Sequence, residues 1–457
     1  MAAIHRNKAK IASYDIVILG GGNAGFGVSS VAAEAGKRIA FVEERDFGGT
    51  CPNRGCTPKK VLVAAAHALH EIEISKVHGI EVGAARLDWA KLIDREKAMI
   101  ASIPEKMAEL AAKRGDVYRG SARFAGPNAV AVGDEVLEAE HIVIATGSKP
   151  RPLTFPGAEH LITSDEVLSE RELPGEVVFI GGGVIAMEFS HVYARAGARV
   201  TILEALSTVL SGQDAEAVAE VRRESERIGI VIRTDVEVTK VAPAEGAFIV
   251  SYRRDGKEAT LKADRVVNGA GRVANVDSLD LEAGNVRHDK GRVETDAYLR
   301  SVSNPAVWVC GDALVTSAQL SPLATYEGQL VGRNIVGGPK EQPDYRTIPS
   351  CVYTVPALAS VGLTQAQAEE KGLKFEVSVN DMRDWFSGET YGETVAWAKV
   401  LIEEGSGRIL GAQMVGHSGE ELIHLFALAM RHGITAADLK SSVFAFPTFS
   451  ADVKSLV

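Results

Sequence analysis

One pattern occurs twice in this chain and restricts its fold more than any other feature. Tyr14–Gly20 (YDIVILG) is a continuous apolar, β-branched run that ends in glycine. Ala24–Gly36 follows, rich in Ala, Ser and Val and closed by glycine, and Arg38–Glu43 (RIAFVE) is apolar again. An unbroken apolar run of strand length predicts a strand buried on both faces, as in a parallel sheet. The closing glycine predicts a helix stop. Together the three segments form a βαβ unit. Glu176–Gly181 (EVVFIG), Val184–Gly197 and Arg199–Glu204 (RVTILE) repeat it. This is duplication of one supersecondary unit, not a solenoid period.

The turns carry the chemistry. Gly20, Gly22 and Gly25 form G-x-G-x-x-G between the first strand and its helix, and Glu43 ends the next strand, 21 residues after Gly22. The first glycine makes the tight turn, the second lets backbone approach a pyrophosphate, and the third lets helix sit close on strand. The helix N-terminus then favours the phosphates, and Glu43 is placed to accept hydrogen bonds from ribose hydroxyls. A glycine triplet alone can be a turn that merely permits packing; the strand, helix and acid around this one predict a dinucleotide site. Gly181, Gly183 and Ala186 repeat the motif as G-x-G-x-x-A, with Glu204 again 21 residues after the second glycine. Two such sites on one chain are most simply FAD in the first and a nicotinamide nucleotide in the second. Ile142–Gly147 (IVIATG) ends in Thr146 and Gly147, a turn able to cross over a cofactor. Ala306–Asp312 (AVWVCGD) ends in Gly311–Asp312, whose carboxylate could accept from a ribityl hydroxyl or instead cap the next segment. Glu204 and the absence of Arg or Lys from Ala205–Ser211 (ALSTVLS) favour NAD(H) over NADP(H), because a carboxylate pairs with a free ribose and repels a 2′-phosphate.

The rest of the chain bounds the answer. Its 457 residues exceed what one core normally organises, so three domains are expected. A formal charge of −10 and no dense basic block argue against nucleic acid as a partner. Met1–Ser13 contains no apolar stretch with a small-residue cleavage site, and the most apolar runs fall far short of the ~20 residues that span a bilayer. A cytoplasmic protein without a membrane partner is expected. Asp88–Arg114 predicts a helical pair, Gly120–Ala139 a β-meander, and the Pro-rich Pro150–Pro156 a domain crossing. Val352–Leu363, Ala396–Leu401 and Ile409–Val415 predict strands of an antiparallel sheet. Ser418–His432 predicts a helix with an apolar stripe at Leu422, Leu425, Phe426, Ala429 and Met430.

Four cysteines occur, and two of them stand in Gly48–Lys60 (GGTCPNRGCTPKK). Cys51 and Cys56 are not spaced as C-x-x-C, and no second Cys/His pair completes a zinc site. Lys59–Ile72 reads as a helix, and thiols at a helix N-terminus ionise readily. A redox-active pair is the reading; an inert bridge would be unusual in a reducing compartment. Cys310 and Cys351 sit in apolar strands and are expected in the core.

These features together resemble the class I pyridine nucleotide–disulfide oxidoreductases, which include glutathione reductase, dihydrolipoamide dehydrogenase, trypanothione reductase and mercuric reductase. The resemblance runs from about Tyr14 to the C-terminus. It implies an α/β fold with two Rossmann-like dinucleotide-binding domains and a C-terminal α+β dimerisation domain. The expected segments are 1–150 and 280–345 for a discontinuous FAD-binding domain, 151–279 for NAD(P) and 346–457 for dimerisation. It adds Gly49, Thr50 and Gly271 to the cofactor-binding residues. It further implies a homodimer, an ion pair of Lys59 with Glu188 beside the flavin, Cys56 as the flavin-facing sulfur and Cys51 as the interchange thiol. Electrons would pass from NAD(P)H through FAD and the Cys51/Cys56 disulfide to a small-molecule or protein disulfide or thiol.

The resemblance breaks near the end. Disulfide reductases of this family carry His-Pro there, with Glu five residues after the His, as an acid–base pair that reaches the partner subunit's site. In Phe444–Lys454 (FAFPTFSADVK), Pro447 and Thr448 remain, but Phe446 and Ala451 stand at the His and Glu positions. Phenylalanine cannot transfer a proton. Mercuric reductase also lacks the His but needs a C-terminal cysteine pair, whereas this sequence ends Ser455-Leu456-Val457. The 2-ketopropyl-coenzyme M oxidoreductase/carboxylase type has Phe at the same position but His rather than Ala at the second. Three readings follow: a disulfide reductase with another acid, such as Asp452 or water; a reductive C–S cleaving enzyme or carboxylase; and a flavoprotein electron donor to a protein partner.

Overall fold

The computed structural model describes residues 10–314 and 318–457. The chain divides into two compact units, Met1–Lys59 with Lys97–Pro150 and Arg272–Tyr345, and Lys60–Glu96 with Arg151–Gly271 and Arg346–Val457. Two stretches group differently from the segments expected above. Strand Arg272–Ala274 pairs antiparallel with Ser148–Pro150, which keeps it in the first unit. Leu62, Val63, Ala66 and Trp89 share a core with Phe179 and Tyr193, with Trp89 stacked on Tyr193, which places 60–96 in the second.

In the first unit five strands run parallel in the order Asp116–Arg119, Ile39–Glu43, Lys10–Leu19, Glu135–Ile144 and Val307–Val309. Ile16–Leu19, Ile39–Val42, Ile142–Ile144 and Val307–Val309 are apolar and buried on both faces, as a parallel sheet covered by helices requires. The meander is present: Ala122–Gly126 and Ala129–Val132 add antiparallel to the first half of Glu135–Ile144. Strand Lys10–Leu19 begins four residues before the expected Tyr14. Lys10–Ser13 lie opposite Glu135–Glu138, so ladder hydrogen bonds rather than burial carry that extension.

Register brings the ends of these strands level. Leu19 lies opposite Val42 and Ile144, and Ile144 opposite Val309. Gly20, Glu43, Thr146–Gly147 and Gly311–Asp312 therefore all emerge at one edge, the place where open parallel sheets bind ligands. Helix Asn23–Glu34 crosses helix Ser321–Gly337 at glycines. A Cβ on Gly328 would lie 2.1 Å from the Ala24 carbonyl oxygen, and one on Gly27 would lie 2.6 Å from that of Thr325.

The second unit repeats the parallel core as Val231–Arg233, Arg199–Leu203, Glu176–Ile180 and Arg265–Asn268, with helix Val184–Ala196 behind it. Glu237–Ala244, Ala247–Arg254 and Lys257–Ala263 add a three-stranded antiparallel sheet. Its C-terminal part is a five-stranded antiparallel sheet ordered Ser350–Val352, Leu358–Gly362, Ile409–Gly416, Ala396–Glu403 and Phe375–Asp381. The single strand expected over Val352–Leu363 is two, separated by a turn at Val355–Pro356. The edge strand Phe375–Asp381 was not expected. Helix Gly419–His432 packs on this sheet through Leu422, Ile423, Phe426 and Ala429, with Leu425 and Met430 partly buried. Among the described residues, no helix is long and apolar enough to cross a membrane.

The glycine crossing gives a test. Gly328→Ala is expected to destabilise the protein by about 1–3 kcal/mol through overpacking, seen as a lower thermal-unfolding midpoint. Gly337→Ala in the same helix, where a Cβ meets nothing within 4 Å, should change it little. Equal midpoints for the two variants would refute the close crossing.

Candidate functional site

At the first sheet edge, Gly20 has φ +113° and a Cβ there would sit 2.3 Å from the Ala145 carbonyl oxygen. A Cβ on Gly25 would sit 2.2 Å from the Gly20 carbonyl oxygen. Glu43 locks the turn from below: its Oε2 accepts from Gly21 N at 2.7 Å and its Oε1 from Arg45 N at 2.8 Å. The next loop lies directly on this one. Gly48 N donates to the Gly21 carbonyl at 2.8 Å, and a Cβ on Gly49 would come 2.7 Å from Gly22 Cα. Thr50, the next residue, opens the short helix that carries Cys51.

The remaining strand ends add polar groups. Thr146 Oγ1 is buried without a hydrogen-bond partner, and Gly147 follows at φ +71°. Gly311, at φ +68°, donates its N–H to Glu327 Oε2 at 2.7 Å. Asp312 Oδ2 accepts from Ser148 Oγ at 2.9 Å, and Ser148 Oγ accepts from Arg272 Nε at 2.8 Å. Burial pushes the Asp312 pKa up, and Ser148 and Arg272 oppose that shift. A bare-backbone cradle, an orphaned buried hydroxyl and a half-buried carboxylate suit the pyrophosphate and sugar of a dinucleotide. Ser148 and Arg272 escaped the sequence reading, for they reach Asp312 only through the strand pair 148–150 and 272–274.

Cys51 lies in helix Thr50–Arg54, and Cys56 opens helix Cys56–Ile74. Gly55 allows the break between them: a Cβ there would be 2.9 Å from the Thr50 carbonyl oxygen. Both thiols are free, Cys51 half-buried and Cys56 exposed. The Cys51 pKa is lowered to about 6. The largest cause is a hydrogen bond from the Cys56 thiol; burial opposes it, and the Ser321 hydroxyl and the Cys56 N–H add to it. Ser321 is held by Asn23, whose Nδ2 donates to Ser321 Oγ and, at 3.4 Å, to its carbonyl. Asn23 and Ser321 belong to no motif read from the sequence; Ser-Pro at a helix start was the available signal. The other two cysteines are pushed the other way by burial, Cys310 well upward and Cys351 to about 11. Cys310 is fully buried, whereas Cys351 is half-buried rather than a core residue.

The second glycine turn has the same build. Gly181 has φ +96°, and a Cβ there would lie 2.5 Å from Ala270 Cα. Glu204 accepts from Gly182 N and, at 2.7 Å, from Leu206 N. Gly183 caps helix Val184–Ala196. Gly271, at φ +90°, accepts from Arg151 N through its carbonyl at 2.9 Å. Glu188 is buried in that helix and its Oε1 accepts from Tyr353 N at 2.8 Å. Lys59 stands in the first turn of Cys56–Ile74, in the first unit.

Near the C-terminus Phe446 is 79% exposed and stacks on Phe386, with ring centroids 6.3 Å apart. Ala451 lies in the first turn of helix Phe449–Leu456 and donates its N–H to the Thr448 cap. Asp452, one residue on, hydrogen-bonds His417 and Ser387. Neither His417 nor Ser387 was singled out from the sequence.

Comparison with known proteins covers most of the chain. Residues 14–328 match the family model described as pyridine nucleotide-disulphide oxidoreductase, and residues 348–457 match the dimerisation domain of the same family. A dihydrolipoyl dehydrogenase from Rhizobium etli is 32% identical, covering 97% of each chain. A glutathione reductase from Burkholderia cepacia is 31% identical, covering 97% of this chain and 98% of its own. Among solved structures, the HOCl-induced flavoprotein disulfide reductase RclA from Escherichia coli, as a Cu(II) complex, superimposes with a TM-score of 0.87. It is 26% identical and matches over 97% of this chain and 99% of its own.

The thiol geometry sets a pH dependence. A group whose pKa is lowered to about 6 is thiolate at neutral pH. Alkylation of Cys51 by iodoacetamide in the reduced protein, followed by peptide mass spectrometry, should be half-maximal near that pH. Removing a stabilising donor favours the protonated thiol, so Cys56→Ala and Ser321→Ala should each move the midpoint upward. A wild-type midpoint in the ordinary cysteine range would refute the assignment.

Proposed function

The chain belongs to the pyridine nucleotide–disulfide oxidoreductases, and from that premise we propose that it carries an electron pair from NADH to the Cys51/Cys56 disulfide and on to a disulfide-type acceptor. As a member it is an enzyme dependent on FAD and a nicotinamide nucleotide. Gly20, Gly22, Gly25, Glu43, Gly49, Thr50, Thr146, Gly147, Gly311 and Asp312 would hold the FAD, and the family resemblance adds Lys59 and Glu188 as flavin-side residues. Gly181, Gly183, Glu204 and Gly271 would hold the nicotinamide nucleotide. When bound, the flavin supplies the hydride chemistry between nicotinamide and disulfide.

The observation that carries this reading is Cys51, a low-pKa thiol set beside a second thiol on a loop packed against the first glycine turn. With the pair reduced, the Cys51 thiolate attacks one sulfur of the acceptor disulfide and the first acceptor thiolate leaves. Cys56, as thiolate, then attacks Cys51, re-forming the Cys51–Cys56 bond and releasing the second acceptor thiolate. Two electrons pass to the acceptor, and its two thiolates take two protons. Phe446 and Ala451 cannot supply them. The family match over 348–457 supports a homodimer as the working form. The exposed, stacked Phe446 and Phe386 favour the C–S cleaving or carboxylating type as the second reading, since an apolar wall suits an intermediate that must not be protonated. A turnover screen of lipoamide and small disulfides against thioethers, with and without CO₂, separates the two. Turnover of thioethers alone would overturn the first.

Nucleotide choice is a separate test. Glu204 and the uncharged Ala205–Ser211 segment favour a free ribose over a phosphorylated one. The kcat/KM for NADH is expected to exceed that for NADPH at least about tenfold, equivalent to ~1.4 kcal/mol. A preference for NADPH would refute this.

A further inference from the structure

Helix Ser321–Gly337 stops at Gly338, with φ +84°, and the chain then runs back along the helix it has left. Lys340 N and Glu341 N donate to Asn334 Oδ1 at 3.0 and 2.9 Å, and Asn334 Nδ2 donates to the Glu341 carbonyl at 2.8 Å. Asp344 N donates to Tyr326 Oη at 2.9 Å, and Tyr345 Oη donates to Glu327 Oε1 at 2.9 Å. As the strap advances from 340 to 345, its partners on the helix fall from 334 to 326 and 327, so the two segments are antiparallel. The helix rises about 10 Å between Glu327 and Asn334, a span that the extended chain from 341 to 345 can cover. Tyr345 is the last residue of the first unit.

The strap ends on an acid that needs a reason to be where it is. Glu327 is completely buried, and burying a polar group is costly unless it is hydrogen-bonded. Its Oε1 accepts from Tyr345, and its Oε2 accepts from Gly311 N at 2.7 Å. Gly311 is where the sheet stops supplying acceptors. The last register pair of its strand is Val309 with Ile144, and Cys310 N still donates to the Ile144 carbonyl at 3.1 Å. Position 311 must also be glycine: its φ is +68°, and a Cβ there would lie 2.8 Å from Ala24 Cβ. Glycine is the residue that leaves backbone freest, so this turn needs a tie from outside the sheet. An apolar side chain at 327 would fill the interior more cheaply, but it could not accept the Gly311 N–H.

We propose that Glu327 and Tyr345 are positioning residues for the flavin cofactor. Tyr345 holds Glu327, Glu327 holds the Gly311 N–H, and the turn fixed in this way sets the carboxylate of the next residue, Asp312. The proposal rests on the reading of Asp312 as an FAD-binding residue given above. Asp312 is then steadied twice, through its backbone by Glu327 and through its side chain by Ser148, whose Oγ donates to Oδ2 at 2.9 Å. Neither Glu327 nor Tyr345 need touch the cofactor; both act through Asp312. The strap has a use on this reading, because it brings the Tyr345 hydroxyl to the one buried acid that grips the turn.

The test uses the holoenzyme and two readouts. The first is the rate at which FAD leaves the diluted protein, followed by filtration. Glu327→Leu should release FAD about 10–100-fold faster and Tyr345→Phe about three- to tenfold faster, the ranges for a buried acceptor lost outright and for one of its donors lost. Glu327→Gln should stay within about threefold, because an amide can accept from Gly311 N with its oxygen and donate to Tyr345 Oη with its nitrogen. Asp312→Ala should itself speed release, and adding Tyr345→Phe or Glu327→Leu to it should change little, since residues that act through one another are not additive. Wild-type release from Tyr345→Phe, failure of Glu327→Gln to rescue, or additive effects with Asp312→Ala each overturn the positioning role. The second readout is hydrogen exchange of the peptide containing Gly311, measured by mass spectrometry. Exchange should be faster in Tyr345→Phe than in the wild type, and unchanged exchange overturns the tie. Wild-type release from Asp312→Ala overturns the reading of Asp312 and the positioning role with it, while hydrogen exchange still decides the tie.

Discussion

Gly22 and Gly49 meet backbone to backbone, and the chemistry of the first unit is built outward from that contact. A side chain at position 49 would bring its Cβ within 2.7 Å of Gly22 Cα, whereas a Cβ on Gly22 would sit 3.7 Å from Gly49 Cα, so it is position 49 that must be glycine. The adjacent Gly48–Gly21 hydrogen bond fixes their register. Thr50 and Cys51 follow at once, before a longer loop could let the thiol wander. A second bare contact, Gly328 on Ala24, brings helix Ser321–Gly337 against Asn23–Glu34 closely enough for Asn23 to hold Ser321. Glycine costs roughly 0.5–1 kcal/mol against alanine inside a helix. Here that cost is set against a hydroxyl positioned on a reactive sulfur.

The two glycine turns solve one packing problem in two ways. In the first, Gly25 leaves room for the Gly20 carbonyl. In the second, Ala186 fills that position, and the missing space reappears across the gap: a Cβ on Gly269 would lie 2.8 Å from Ala186 Cβ. What is constrained is the distance between helix and strand, and either surface can supply the bare backbone. The acids are constrained more tightly. Glu43 accepts from the N–H groups of Gly21 and Arg45, and Glu204 likewise from those of Gly182 and Leu206. Each acid braces its turn.

Features that depend on near neighbours in the chain could be read from the sequence. The buried strands, the glycine turns and the helix stops rest on local periodicity and backbone freedom, and they are where the sequence placed them. The segment Val352–Leu363 misled because its apolar run continues through Val355–Pro356, where the chain reverses. Strand Phe375–Asp381 gave a weak signal because it is an edge strand, with Val377 and Val379 largely exposed. The polar groups that complete the candidate site were illegible for a different reason. Ser148 meets Asp312 across 164 positions, and Glu327 meets Gly311 and Tyr345 across 16 and 18. No local pattern announces such pairs; only the folded sheets bring them together.

Cysteine acidity and the altered C-terminal segment bear on one another. An acid–base pair beside a dithiol has two duties: to keep the attacking thiol ionised and to protonate the thiolate that leaves. With Cys51 lowered to about 6 by its own neighbours, the first duty no longer needs an outside base at neutral pH. Only the second remains, and it calls for a group that holds a proton rather than one that removes it. An imidazole exposed to water exchanges its proton freely in both directions. Replacing His and Glu with Phe446 and Ala451 thus removes a group that could serve either duty, and on the proposed reading the leaving thiolate takes its proton from water.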